Sequence, residues 1–327
     1  MPQIVRIGLI FIGVLAGLVH AQLAPLASMQ DLSYPFPDKK IMLSNEVEIA
    51  YVEEGSSGET LLFIHGLGSY LPAWQENIKT LRTSYRCIAI DLPGYGKSSK
   101  GAYSGSMEFF SKVVAEFIDS MKLGRVTLVG HSMGGQISMV TTIAFPQKVQ
   151  RLILCDPAGF ETFTEGQKQW FREILSARGV KLTPVNAIWE NIAYNFYDMP
   201  KSAHFMAWDR INMRSAKEFD WYCYIIPKCV QGMVDRPVYN QLSAIKVPVL
   251  VIFGENDNLI PNRFLNPGRT RAVAESGASQ LPNHQLVMVP KAGHFAMFEQ
   301  AETVNAAITA FMAGKPIEGA EKVAPAQ

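Results

Sequence analysis

Seven apolar stretches set the rhythm of this chain. Val47–Glu53 alternates apolar and polar positions with period two, the pattern of a strand covered on one face. The others are nearly continuous: Leu61–Ile64, Arg86–Asp91, Val126–Val129, Arg151–Asp156, Val247–Gly254 and Leu286–Val289. A short unbroken apolar run bounded by turn residues is the mark of a strand buried on both faces. Between them Trp74–Leu81, Phe109–Met121 and Gln136–Phe145 read as helices, and Ala301–Met312 as a last one. Strand and helix in alternation predict an α/β domain with a mostly parallel central sheet, covered by helices on both sides.

The rhythm breaks once. From Phe160 to about Arg236 no buried strand pattern occurs, and aromatic-rich segments with helical periodicity take its place, Trp170, Phe171, Trp189, Trp208 and Trp221 among their rings. This predicts a helical cap, residues 159–236, inserted into a core made of 41–158 and 237–314. Most of those rings pack the cap itself, and a minority line an apolar pocket. Residues 22–40, with three prolines, read as a linker, and 315–327 as a disordered tail.

Residues 1–21 read as a signal peptide. Arg6 gives a modest positive region, Ile7–Val19 is apolar, and Val19-His20-Ala21 offers small residues for cleavage before Gln22. The apolar stretch is shorter than the roughly twenty residues that span a bilayer. The expected product is secreted or periplasmic, with no stable membrane span in the mature chain; left uncleaved, the same segment is an anchor.

Composition narrows the function. The 327 residues, 48% of them hydrophobic, suit one large α/β domain with an inserted lobe. A net charge of +1 and the lack of a long basic run argue against nucleic acid as a partner. The six histidines are scattered and no His/Cys spacing resembles a metal site, so neither metal nor cofactor is expected. Cys87 and Cys155 read as buried thiols, whereas Cys223 and Cys229 either pair or stay free. No pattern in the chain speaks to its oligomeric state.

The chemistry centres on Gly130-His131-Ser132-Met133-Gly134-Gly135, where an apolar strand meets a helix through a sharp turn. Such a turn cramps the serine backbone, projects its hydroxyl over the end of the sheet, and aims the following helix N-terminus at developing negative charge. An ordinary strand–helix turn is the bland alternative. His65-Gly66-Leu67-Gly68 follows another buried strand; its glycines let backbone approach a ligand, so the Leu67 and Met133 amides are candidate oxyanion donors. A serine hydroxyl needs a base within reach. His294, after the last strand, lies in a suitable loop, with His65 and His131 as alternatives. The base in turn needs a carboxylate to fix its tautomer. Asp257 and Asp156, each after a strand, are available, and Asp91 reads as a turn cap.

These motifs resemble the α/β-hydrolase fold superfamily, in its serine-nucleophile, single-cap branch, over roughly residues 40 to 314. The resemblance implies Ser132 as nucleophile, Asp257 as acid and His294 as base, in the family's chain order. It gives His65, Gly66 and His131 supporting, substrate-side roles near the oxyanion site. Asp156 stays the runner-up, since some relatives carry the acid there. A serine at the elbow implies acyl transfer to water, hence a carboxylesterase or lipase acting on a small apolar acyl substrate. Carbon–carbon bond hydrolysis, aminopeptidase and perhydrolase chemistry use the same triad and remain alternatives, as does a non-enzymatic binding module. One departure stands out: the stretch Asn262–Asn283 between acid and base is long and polar, leaving its substrate-side role open.

Overall fold

The apolar runs assemble into one sheet. The computed structural model describes residues 24–324 apart from Asn45 and Ser57, so the expected signal peptide lies outside the described residues. Its strands are β1 (Asp38–Met42), β2 (Glu48–Glu54), β3 (Thr60–Ile64), β4 (Arg86–Ile90), β5 (Val126–His131), β6 (Val149–Cys155), β7 (Val249–Gly254), β8 (His284–Val289) and β9 (Ala320–Glu321). They lie in the order β1-β2-β4-β3-β5-β6-β7-β8-β9. The pairings from β4 through β3 to β8 are parallel, and those of β1 with β2, β2 with β4 and β8 with β9 are antiparallel.

Alternation along each central strand divides the core in two. Leu62, Ile64, Leu128, Leu152 and Val251 face α2 (Met107–Ser120) and α3 (Met133–Ala144). Leu61, Phe63, Val129, Ile153 and Ile252 pack instead with α1 (Gln75–Leu81) and, at the C-terminal end, α11 (Ala301–Met312). Each fully buried Ile, Leu or Phe contributes roughly 1.5–3 kcal/mol relative to leaving it exposed. Between β6 and β7 run α4 (Glu165–Ile174), α5 (Ala177–Lys181), α6 (Val185–Ala193), α7 (His204–Asn212) and α8 (Phe219–Asp235). After β7 come α9 (Thr270–Ser279) and the short α10 (Ala296–Glu299). Among the described residues no helix is long and apolar enough to cross a membrane.

Two expectations need correcting, and one open alternative is decided. The stretch read as a linker is pinned: Lys217 N–H donates to Ala27 at 3.1 Å, Ser28 Oγ to Glu218 at 2.7 Å, and β1 begins at Asp38. The stretch read as a disordered tail returns to the sheet, where β9 pairs with β8 and Val323 N–H donates to His284 Nε2 at 3.1 Å. Cys223 and Cys229 are free and buried. Both lie on α8, six residues apart, and about 9 Å of helix rise between them exceeds the reach of a disulfide.

Candidate active site

Parallel neighbours deliver the site. β5, β6, β7 and β8 are adjacent in the sheet and run the same way, so the residues that follow them meet at one edge: Ser132, Asp156, Asp257 and His294. This is where open α/β sheets bind ligands.

Ser132 sits between β5 and α3 with φ 52° and ψ −119°, a conformation that costs a non-glycine residue about 1–3 kcal/mol. The turn closes only because its neighbours lack side chains. A Cβ on Gly134 would fall 2.2 Å from the Ile64 carbonyl oxygen, and one on Gly130 would fall 2.4 Å from the Gly134 carbonyl oxygen.

His294 Nδ1 donates to Asp257 Oδ2 at 2.8 Å, which leaves Nε2 as the free ring nitrogen. The other oxygen, Asp257 Oδ1, accepts from the Leu259 and Ile260 backbone N–H groups at 2.7 and 3.1 Å. The carboxylate is therefore locked at both ends. Asp156 lies against the pair, one ligand atom from each of the three residues falling within 4.8 Å of the others. Its Oδ1 accepts from Gly254 N–H at 2.8 Å, while Oδ2 is buried without a hydrogen-bond partner. Burial, and then the neighbouring Asp257 charge, push the Asp156 carboxyl well above the ordinary range. Asp257, not Asp156, holds the histidine. Because His294 Nδ1 is committed to Asp257, the trio is arranged as a hydrogen-bonded pair with a second carboxyl behind it.

The two other histidines have fixed tautomers. Leu92 N–H donates to His65 Nε2 at 3.0 Å, so His65 Nδ1 carries the proton it shares with Gly66 O at 2.8 Å. His131 Nε2 lies 2.8 Å from His294 O and must donate to it, leaving Nδ1 as a buried, unpartnered lone pair. Burial first, and His294 second, hold the His131 imidazole well below its usual range, and burial lowers that of His65. Both are neutral struts, and neither stands in for His294. Asp91 caps its turn: Oδ1 accepts from Leu71 N–H and Oδ2 from Lys97 N–H, each at 2.8 Å.

A cavity of about 270 Å³ opens beside Ser132. Leu67, His131, Ser132 and His294 line it, together with Phe163, Phe171, Val230, Met233 and Val234 of the helical insertion. Gly66 and His65 stand behind this wall; a Cβ on Gly66 would fall 2.8 Å from His131 Nδ1. The Leu67 N–H makes no hydrogen bond among the described residues. Met133 is the first residue of α3, where helix geometry leaves the N–H without an intrahelical acceptor. Ser132 and His294 share the cavity without a hydrogen bond between them, the looser spacing often found before substrate binds.

Comparison with known proteins identifies the fold family. The family model of the alpha/beta hydrolase fold matches residues 59–301. The chain belongs to the α/β-hydrolase fold family. It is 26% identical over 280 residues to a 2-hydroxy-6-oxononadienedioate/2-hydroxy-6-oxononatrienedioate hydrolase of Burkholderia vietnamiensis, covering 82% of this chain and 91% of that one. It is 28% identical over 259 residues to the dihydrolipoyllysine-residue acetyltransferase component of the acetoin cleaving system of Pseudomonas putida. That match covers 79% of this chain but only 64% of the relative. Among solved structures, a probable hydrolytic enzyme of Pseudomonas aeruginosa superposes with a TM-score of 0.77 at 23% identity, over 88% of this chain and 98% of that one.

This hydrolase has further site residues that sequence reasoning missed. The Glu299 carboxylate accepts from Gly293 N–H at 2.8 Å, Tyr197 N–H at 3.1 Å and Asp198 N–H at 2.6 Å, tying the His294 loop to the insertion. Phe196 stacks on Phe295 at 5.2 Å, and Arg210 of α7 donates to the Gly68 carbonyl. Asn195 lines the cavity, as does Glu161, an acidic residue of the insertion that the sequence offers only as a weak candidate for holding a substrate amine. The partners of Glu299, Phe196, Arg210 and Glu161 lie far along the chain, so no local motif marks these contacts. Of the long polar stretch Asn262–Asn283, Asn262 lines the same cavity, next to Leu259 and Ile260, which precede the stretch.

Proposed function

We propose that this α/β hydrolase cleaves carboxylic esters of small, largely apolar acyl groups through an acyl-enzyme intermediate. The observation that carries the reading is the His294–Asp257 bond beside a strained Ser132 at the edge of an apolar cavity. His294 Nε2 takes the Ser132 proton as Oγ attacks the ester carbonyl. The tetrahedral oxyanion accepts hydrogen bonds from the Leu67 and Met133 amides. Collapse expels the alcohol, which receives the proton from His294. Water, deprotonated by the same nitrogen, then attacks the acyl-serine and releases the acid.

The chemistry of the walls favours esters over a dioate cleaved at a carbon–carbon bond. No Lys or Arg lines the cavity among the described residues, and its charged side chain is the carboxylate of Glu161. A substrate with two carboxylates would lack a counter-charge there. The inserted helices act as a cap that shapes this pocket.

The test is hydrolysis of p-nitrophenyl esters from acetate to palmitate by wild type and Ser132→Ala. Turnover that peaks at short or medium chains and drops at least about 10³-fold in the variant is expected. Equal turnover in the variant, or preference for a vinylogous diketone over every ester, overturns the reading.

A further inference from the structure

The cavity beside Ser132 carries one carboxylate, that of Glu161, and this reaction does not use it. Glu161 follows the β6 turn, is half-buried, and is anchored by one oxygen only. Its Oε1 accepts from the Asn262 backbone N–H at 2.9 Å and from Asn266 Nδ2 at 2.7 Å. Asn266 cannot swing away: its Oδ1 accepts from Gln167 Nε2 of α4 at 3.0 Å, and its Nδ2 also donates to the Thr162 carbonyl at 3.0 Å. The carboxylate is thus a fixed feature, built from the insertion and the long loop together. Its second oxygen, Oε2, has no hydrogen-bond partner among the described residues. Elsewhere the wall is apolar or neutral, with Phe163, Phe171, Met233, Leu259 and Ile260 around it.

Water can reach this oxygen on the half-buried side chain, and a bound ligand displaces that water, so a donor on the ligand offsets the desolvation of the acceptor and an apolar group does not. A second carboxylate brought into the same low-dielectric space adds like-charge repulsion to its own desolvation. We infer that Glu161 selects substrates by polarity: it accepts a hydrogen bond from a hydroxyl or ammonium group on the bound chain and excludes chains ending in a carboxylate. The inference rests on the ester-hydrolase reading for its substrate class, but not for the selection itself. Burial, which holds the Glu161 carboxyl above its ordinary range against its two hydrogen bonds, agrees with a site that waits for a donor.

The experiment uses four p-nitrophenyl esters of matched length: hexanoate, 6-hydroxyhexanoate, 6-aminohexanoate and the monoester of adipate. Wild type, Glu161→Gln and Glu161→Leu are compared by kcat/KM. Wild type is expected to disfavour the adipate ester by about tenfold or more relative to hexanoate. Glu161→Gln keeps an acceptor and removes the charge, so it recovers most of that loss and retains the hydroxyhexanoate preference. Glu161→Leu reverses the order of hexanoate and hydroxyhexanoate. Comparing the hydroxyl and ammonium tails in wild type and Glu161→Gln separates a neutral donor from a cation.

Fluorophosphonates bearing the same four tails give a parallel readout, the labelling rate of Ser132. If no ester turns over yet labelling depends on the tail and on residue 161, the esterase reading fails and the selection stands. If wild type accepts the carboxylate tail as readily as the alkyl one in both assays, the selection is overturned, whatever the variants do.

Discussion

At Ser132 a single residue holds a backbone conformation that its side chain disfavours, and the surroundings leave it no alternative. Its partners are less alike than two aspartates suggest. Asp257 keeps both oxygens in hydrogen bonds, one of them to His294 Nδ1. Asp257→Asn would present the histidine with the wrong tautomer partner, and kcat is expected to fall on the order of 10³–10⁴-fold with little change in melting temperature. Asp156 is held for a different reason. Its folded-state pKa is raised above the unfolded value of about 3.9, chiefly by burial. The folded state therefore binds the proton more tightly. The stability associated with this group is complete below about pH 4 and declines as pH rises toward the folded value. Asp156→Asn keeps an acceptor for Gly254 N–H and removes the titration. The melting temperature of the variant minus that of wild type should grow from pH 4 to pH 7; a flat difference would mean that Asp156 is ionised in the fold.

Elements were legible where burial is two-sided. The central strands announce themselves as apolar runs because both faces are covered, as Leu61 to Ile64 shows on successive residues. The two edge strands did not. β1 exposes Asp38, Lys39, Lys40 and Met42, and β9 has two residues, so neither carries a hydrophobic signal. The start of α3 was misplaced for a related reason. Periodicity places it at Gln136, whereas it begins at Met133, because Gly134 and Gly135 are poor helix formers kept for close approach. That closeness can be measured. Gly134→Ala would drive a methyl into the Ile64 carbonyl, and despite the better helix propensity of alanine a net loss of about 1–3 kcal/mol is expected. Thermal unfolding reads the loss directly, and slower fluorophosphonate labelling of Ser132 would show that the elbow itself has shifted.

Across the whole molecule, motifs confined to one turn were readable and clamps between distant segments were not. Ser132, Asp257 and His294 each lie in the turn or loop that follows a strand, so position along the chain was enough to nominate them. Glu161 and Glu299 derive their roles from partners about a hundred residues away, as in the bonds to Asn262 and Tyr197. Replacing Glu299 with Gln should leave the sheet intact and lower kcat, since the Gly293 N–H loses a charged acceptor. Unchanged kcat would separate the clamp from the chemistry.

The Glu299 clamp also bears on timing. Two of its three donors, Tyr197 and Asp198, belong to the insertion, and the third is the residue before His294. A displacement of the insertion that broke the first two would also unsettle the third. A ligand admitted by such a displacement would meet His294 out of register until the three bonds had re-formed.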